Sequence, residues 1–184
     1  MKSFFAVATA LCSIASASPL APWAQMAPPP AGTQFYQLQA KSAATAVNNQ
    51  WLALRTGAAS YSLAAAQAAA TKFFVRKYDP TGTYAVHNAD DTRQVALQGP
   101  NGTLLYVVDV TMPNTGSIPG GQLMEWATFT MDNNVLGVKD GSTLANRTFA
   151  AVGGADGYGV ALYDGISPTT QTLTPITLNW VKSA

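Results

Sequence analysis

From residue 73 to the end of the chain, apolar and polar positions alternate in short runs, and each run is cut by turn-forming residues. "KFFVRKY" stops at Asp79-Pro80-Thr81-Gly82, "TYAVHNA" at Asp90-Asp91, and "RQVALQG" at Gly99-Pro100-Asn101-Gly102. "TLLYVVDVTM" is rich in β-branched and aromatic residues, and residues 113–122 form a Gly/Pro loop. "EWATFTM", "NVLGVKD", "TFAAVGG", "YGVALYDG" and "PITLNWVK" follow. A period of two in runs of this length predicts strands, with Gly, Pro, Asn and Asp marking the turns. Upstream, "FYQLQAKSA" alternates in the same way, and "QWLALRTG" reads as a strand after an Asn-Asn turn. The exception is "AASYSLAAAQAAATK" (58–72), whose alanines predict the one helix. The expected class is all-β: a single antiparallel β-barrel or sandwich spanning 35–184.

The pattern also echoes itself. Phe35, Phe73 or Phe74, and Phe129 each open an apolar run that is followed by a turn and a second run. A longer echo sets "TYAVHNADDTRQVALQGPNGTLLYVVD" against "VLGVKDGSTLANRTFAAVGGADGYGVALYD". Three related hairpins suit a β-trefoil-like barrel, although the spacings are unequal and a generic β-meander has a similar rhythm.

The N-terminus has a different character. Lys2, an apolar stretch from Phe4 to Ile14 and the Ala15-Ser16-Ala17 site make residues 1–17 a secretory signal peptide. The apolar stretch falls short of the roughly 20 residues of a membrane span. Residues 18–34, rich in Pro and Ala, read as a flexible leader, since proline resists helix and sheet alike. The expected location is extracellular or in a cell wall.

Composition sharpens the class. The chain is 48% hydrophobic and 10% charged, enough apolar residue to bury a core. Ten Lys and Arg stand against nine Asp and Glu, and loss of Lys2 with the signal makes the mature chain formally neutral. That balance argues against a nucleic-acid partner, whose phosphates demand a basic surface. The single cysteine, Cys12, lies in the signal, so the mature chain has neither disulfide nor thiol chemistry.

Candidate chemistry is sparse. His87 is the only histidine; beside the Asp90-Asp91 turn it reads as solvated or structural, and one histidine cannot supply a zinc site. Asp79, Asp90, Asp132, Asp140, Asp156 and Asp164 fall at turn positions. Asp109 and Glu125 are then the only acids left for a glycosidase-type pair, with Asp109 expected to point out of its sheet. No calcium loop or phosphate loop is present, and no catalytic residue, cofactor or metal is expected. Asn101 and Asn146 head N-x-[S/T] sequons and are the candidate glycosylation sites. Trp51, Trp126 and Trp180, with the tyrosines, offer either core residues or a sugar-stacking face.

"FYQLQAKSA", "LMEWATFTMDNNVLGVKDGSTLANRTFAAVGG", "YGVALYDG" and "LTPITLNWV" together resemble the small secreted fungal cell wall proteins of the PhiA type, over roughly residues 35–184. The resemblance implies a non-enzymatic wall or secreted protein, linked to the development of asexual spore-bearing cells and often antigenic. Such proteins usually carry cysteines where "STLANRT" has none, so this chain would be a divergent, cysteine-free member. No binding residue carries over. The sequence therefore supports a structural wall or surface protein, with wall polysaccharide or wall proteins as partners. The alternative is a secreted carbohydrate-binding (lectin-like) or host-interacting module.

Overall fold

The computed structural model describes residues 29–100, 102–111, 113–144 and 146–183. The signal peptide, most of the leader and the Asn101 acceptor lie outside the described residues. Among the described residues, fourteen strands form one antiparallel sheet system. They fall into three successive groups. The first is β1 (Tyr36–Lys41), β2 (Trp51–Leu54), β3 (Tyr61–Ala64) and β4 (Phe73–Tyr78). The second is β5 (Thr83–Asn88), β6 (Gln94–Pro100), β7 (Leu104–Val110), β8 (Gln122–Glu125) and β9 (Phe129–Asp132). The third is β10 (Val135–Val138), β11 (Thr148–Gly154), β12 (Gly157–Tyr163), β13 (Leu173–Pro175) and β14 (Thr177–Lys182).

The ladders close on themselves as a β-barrel. One closed circuit of ten strands runs β12-β3-β2-β1-β14-β10-β9-β5-β6-β7 and returns to β12. Strand β4 cuts across it by pairing with both β1 and β5, which defines a smaller ring of six strands, β1-β4-β5-β9-β10-β14. The hairpins β2–β3, β6–β7 and β11–β12 sit outside that ring, and their second strands meet one another in a triangle. Gly159 of β12 faces Ser62 of β3, Leu162 faces Leu105 of β7, and Ser60 bridges to Val108. A six-strand barrel capped by three mutually contacting hairpins is the pairing scheme of a β-trefoil.

The longer sequence echo matches the second and third repeats of this scheme: β5-β6-β7 against β10-β11-β12. The shorter echo is partly out of phase. β4–β5 and β9–β10 are equivalent seams between groups, but Phe35 leads into β1 and β2, which belong to one group. The equivalent third seam joins β14 to β1, far apart in sequence, so no local pattern announces it.

Alternation explains the core. Leu38, Phe73, Val86, Phe129, Leu136 and Leu178 come one from each barrel strand, all are buried, and all belong to one cluster. Leu52, Leu97, Leu105, Val160 and Leu162 extend that cluster into the hairpins. Val135, next to the buried Leu136, is only half-buried, as the pleat requires. The β9–β10 connection is a two-residue turn in which Asn133 and Asn134 have φ of 53° and 62°. Two consecutive left-handed residues match the twist of a hairpin, and Asn tolerates that region better than other non-glycine residues.

The helix expected over 58–72 does not form. Its first part is β3, and only Gln67–Ala69 make a single 3-10 turn. Tyr61 and Leu63 recur at a spacing of two, and the alanines supply no apolar stripe at helical spacing. Packing of a Tyr and a Leu into the core outweighs the modest propensity of alanine. Gln37 then holds the turn, its amide donating to the Gln67 and Ala70 carbonyls and accepting from Gln67 Nε2 at 3.0 Å. Among the described residues, no helix is long and apolar enough to cross a membrane.

Candidate functional site: a groove at the β4–β5 hairpin

His87 is not solvated. It is buried on β5, its ring stacked on Phe74 with centroids 5.1 Å apart. Its Nδ1 lies 2.6 Å from Asp91 Oδ1, without a well-aligned hydrogen bond, and Arg76 Nη2 donates to Asp91 Oδ2 at 2.6 Å. The chain folds back after Asp90 because Asp91 adopts φ of 59°, which carries its carboxylate inward. Burial pushes the imidazole pKa below its ordinary value; the Asp91 charge opposes this and Arg76 reinforces it. The ring is therefore neutral at pH 7.

The two acids left over from turn duty do not converge. β7 and β8 flank β6 on opposite sides, with Val95 facing Asp109 and Leu97 facing Glu125. Asp109 points inward, against expectation, and is buried. Tyr61 donates its hydroxyl to Oδ1 at 2.9 Å, and Arg93 binds Oδ2 and also the Asp109 carbonyl at 3.0 Å. Burial and then the Asp109 charge hold the Tyr61 pKa above that of a free phenol. An Asp on the inner face is affordable because both oxygens have partners. Glu125 is clamped by Arg147, whose Nη2 and Nη1 reach its oxygens at 2.8 and 3.3 Å while Nη1 also binds Asp140. Three of the turn acids serve the backbone. Asp90 accepts from Thr92 N–H, Asp140 from Ser142 N–H, and Asp164 from the N–H groups of Ile166 and Ser167. Burial alone would raise the Asp164 pKa, but the Ser167 and Ile166 bonds and Arg147 bring it below the usual range. Among the described residues, no three His, Cys, Asp or Glu side chains gather as a metal set.

Asn146 lies in an exposed turn directly before β11, an accessible place for an acceptor. Trp51 and Trp180 are buried core residues, the latter edge-on to Tyr36 with centroids 5.7 Å apart. Trp126 differs: it is half-buried and lines a groove of about 510 Å³ beside the β4–β5 hairpin. That volume lies in the usual range for small-ligand sites, roughly 300–1,000 Å³. Arg76 and Tyr78 of β4, Pro80 of the turn, and Gln94 of β6 share the lining. Gln94 is itself only 7% exposed. Arg76 is fixed over the Phe74 ring at 5.4 Å as well as to Asp91.

Sequence reading missed this groove because "EWATFTM" alternates like one strand. The strand is broken at Ala127, which takes φ of 56°, a left-handed conformation that costs a non-glycine residue roughly 1–2 kcal/mol. The break is held from two sides: Thr83 donates its hydroxyl to the Ala127 carbonyl, and Lys139 N–H bonds the Thr128 carbonyl at 2.7 Å. Strain maintained by its surroundings clusters at functional places, and here it sets Trp126 at the groove. No family model, curated protein or solved structure matches the chain.

Proposed function

We propose that this chain is a secreted, non-enzymatic structural protein of the fungal cell wall or cell surface. The observation that carries the reading is the fate of the acids. Asp109 and Glu125, the candidates for chemistry, are each locked to an arginine on opposite sides of β6. A carboxylate in that setting ties strands together and is not poised to move a proton. The signal-like N-terminus, the neutral charge balance and the resemblance of residues 35–184 to PhiA-type wall proteins support the same reading. Fractionation of a fungal culture into wall and medium tests it: the mature chain should stay with the wall after detergent extraction, and recovery only as free protein in the medium would reject it.

The groove favours a second reading, a carbohydrate-binding module. The two are compatible where saccharide binding is the means of wall retention, and they part if the protein binds glycan yet is released. Retention of the pure protein on insoluble glucan, chitin or mannan is the direct measurement.

A further inference from the structure

Resting on that second reading, we infer that the β4–β5 groove is its saccharide site and that the ligand is a neutral glycan. Sugar rings present a C–H face and a hydroxyl edge. They are held by a flat aromatic surface together with groups that both donate and accept. Trp126 and Tyr78 give the groove partly accessible aromatic surface, while Trp51 and Trp180 are used up in the core. Gln94 supplies an oxygen and an NH₂ on one planar amide, a match for two neighbouring hydroxyls or for an acetamido group. Arg76 commits one nitrogen to Asp91 and keeps further N–H groups for hydroxyl oxygens.

The charges select against an acidic glycan. Arg76 is held and neutralised by Asp91, and Lys77 sits 3.6 Å from Asp79, so the groove offers donors with little net charge. Fixed positions keep the ordering cost of binding low. Thr83 and Lys139, by pinning the Ala127 kink, hold Trp126 in place before any ligand arrives.

The test titrates the mature chain with hexasaccharides of β-1,3-glucan, chitin and α-mannan. Binding is followed by calorimetry and by tryptophan fluorescence, to which Trp126 contributes as the half-exposed ring of the three in the domain. At least one neutral oligosaccharide should saturate and shift the emission to the blue. Gln94→Ala should weaken binding about tenfold, the worth of one well-made hydrogen bond. Trp126→Ala should abolish it. If Trp126→Ala fails to fold, Gln94→Ala and the shift of the Trp126 indole N–H resonance in the wild-type protein carry the test. Undiminished binding by Gln94→Ala together with an unmoved Trp126 resonance overturns the groove, while retention of that variant on insoluble polysaccharide leaves carbohydrate binding elsewhere on the surface. No retention of the wild type on any of the three polymers overturns both.

Discussion

At the scale of single residues, the chain buries several polar side chains, His87, Asp91 and Asp109 among them. His87 shows the consequence for stability. Its folded-state pKa lies below that of the unfolded chain, chiefly because burial penalises the imidazolium. Between the two values the unfolded chain binds more protons, so stability rises with pH across that interval. The contribution is present above the unfolded value of about 6.5 and is lost as pH falls through it. Asp91 and Arg76 are the charged groups around the ring. Urea midpoints between pH 8 and pH 5 should therefore fall on the acid side, and His87→Gln should flatten that slope whatever it does to the midpoint at pH 8. An unchanged slope in the variant would assign the acid sensitivity to another group. The sequence could not announce this arrangement. "HNADD" does form a turn, but the left-handed Asp91 that folds its carboxylate back under the ring leaves no trace in composition.

At the scale of elements, connections that are weak in hydrogen-bonded ladder are reinforced by ion pairs. Among the described residues, the loop between β10 and β11 has no strand of its own, and β8 pairs only with β6. Arg147, at the foot of β11, holds both: Glu125 at the end of β8 and Asp140 just after β10. Its side chain is only 8% exposed, and the two carboxylates are 17% and 16% exposed, so these charges are largely taken from water. Arg147→Ala should cost about 3 kcal/mol, because removing one member of a buried set leaves the others uncompensated. Arg147→Lys should recover less than half of that, since a single ammonium cannot fork between two carboxylates. Both variants keep the Asn146 sequon, so a change in midpoint can be read at constant glycosylation. A loss under about 1 kcal/mol would mean that the pairs are satisfied by water instead. The elements themselves were mostly legible, because alternation and Asn/Asp/Gly turns are local signals. The failures also have local causes. Alanine propensity at 58–72 yielded to the inward pair Tyr61 and Leu63, and the apparent continuity of "EWATFTM" concealed the Ala127 kink that makes the groove.

At the scale of the whole molecule, the three seams β4–β5, β9–β10 and β14–β1 should be interchangeable, because each joins one repeat of the barrel to the next. Two are tight turns, and the third is a strand pair with no covalent link. β14 runs along the whole of β1, from Tyr36 opposite Lys182 to Lys41 opposite Thr177. The pairing continues outward, with Ser183 N–H bonding the Phe35 carbonyl at 2.9 Å. Residues 34 and 183 are thus neighbours that a short Gly/Ser linker can join. A permuted chain beginning at Asn134 and ending at Asn133 would then open the β9–β10 seam and close the β14–β1 seam, leaving each repeat's strand pairs in place. Asn133 and Asn134 are both exposed, and exposed turns are where new termini are best tolerated. The permutant should fold with the wild-type far-ultraviolet spectrum and lie within about 2 kcal/mol of it, the loss of one turn being offset by closure of a long open loop. Deleting residues 177–184 should behave in the opposite way. It would strip β1 and β10 of their shared partner and remove Leu178 and Trp180 from the core, and the product should not show a cooperative unfolding transition. A truncated chain that still unfolds cooperatively would show that the hairpin cap and remaining strands hold together without β14. A permutant that fails to fold would show that the β9–β10 turn directs assembly, a role that the exchangeability of the seams does not allow it.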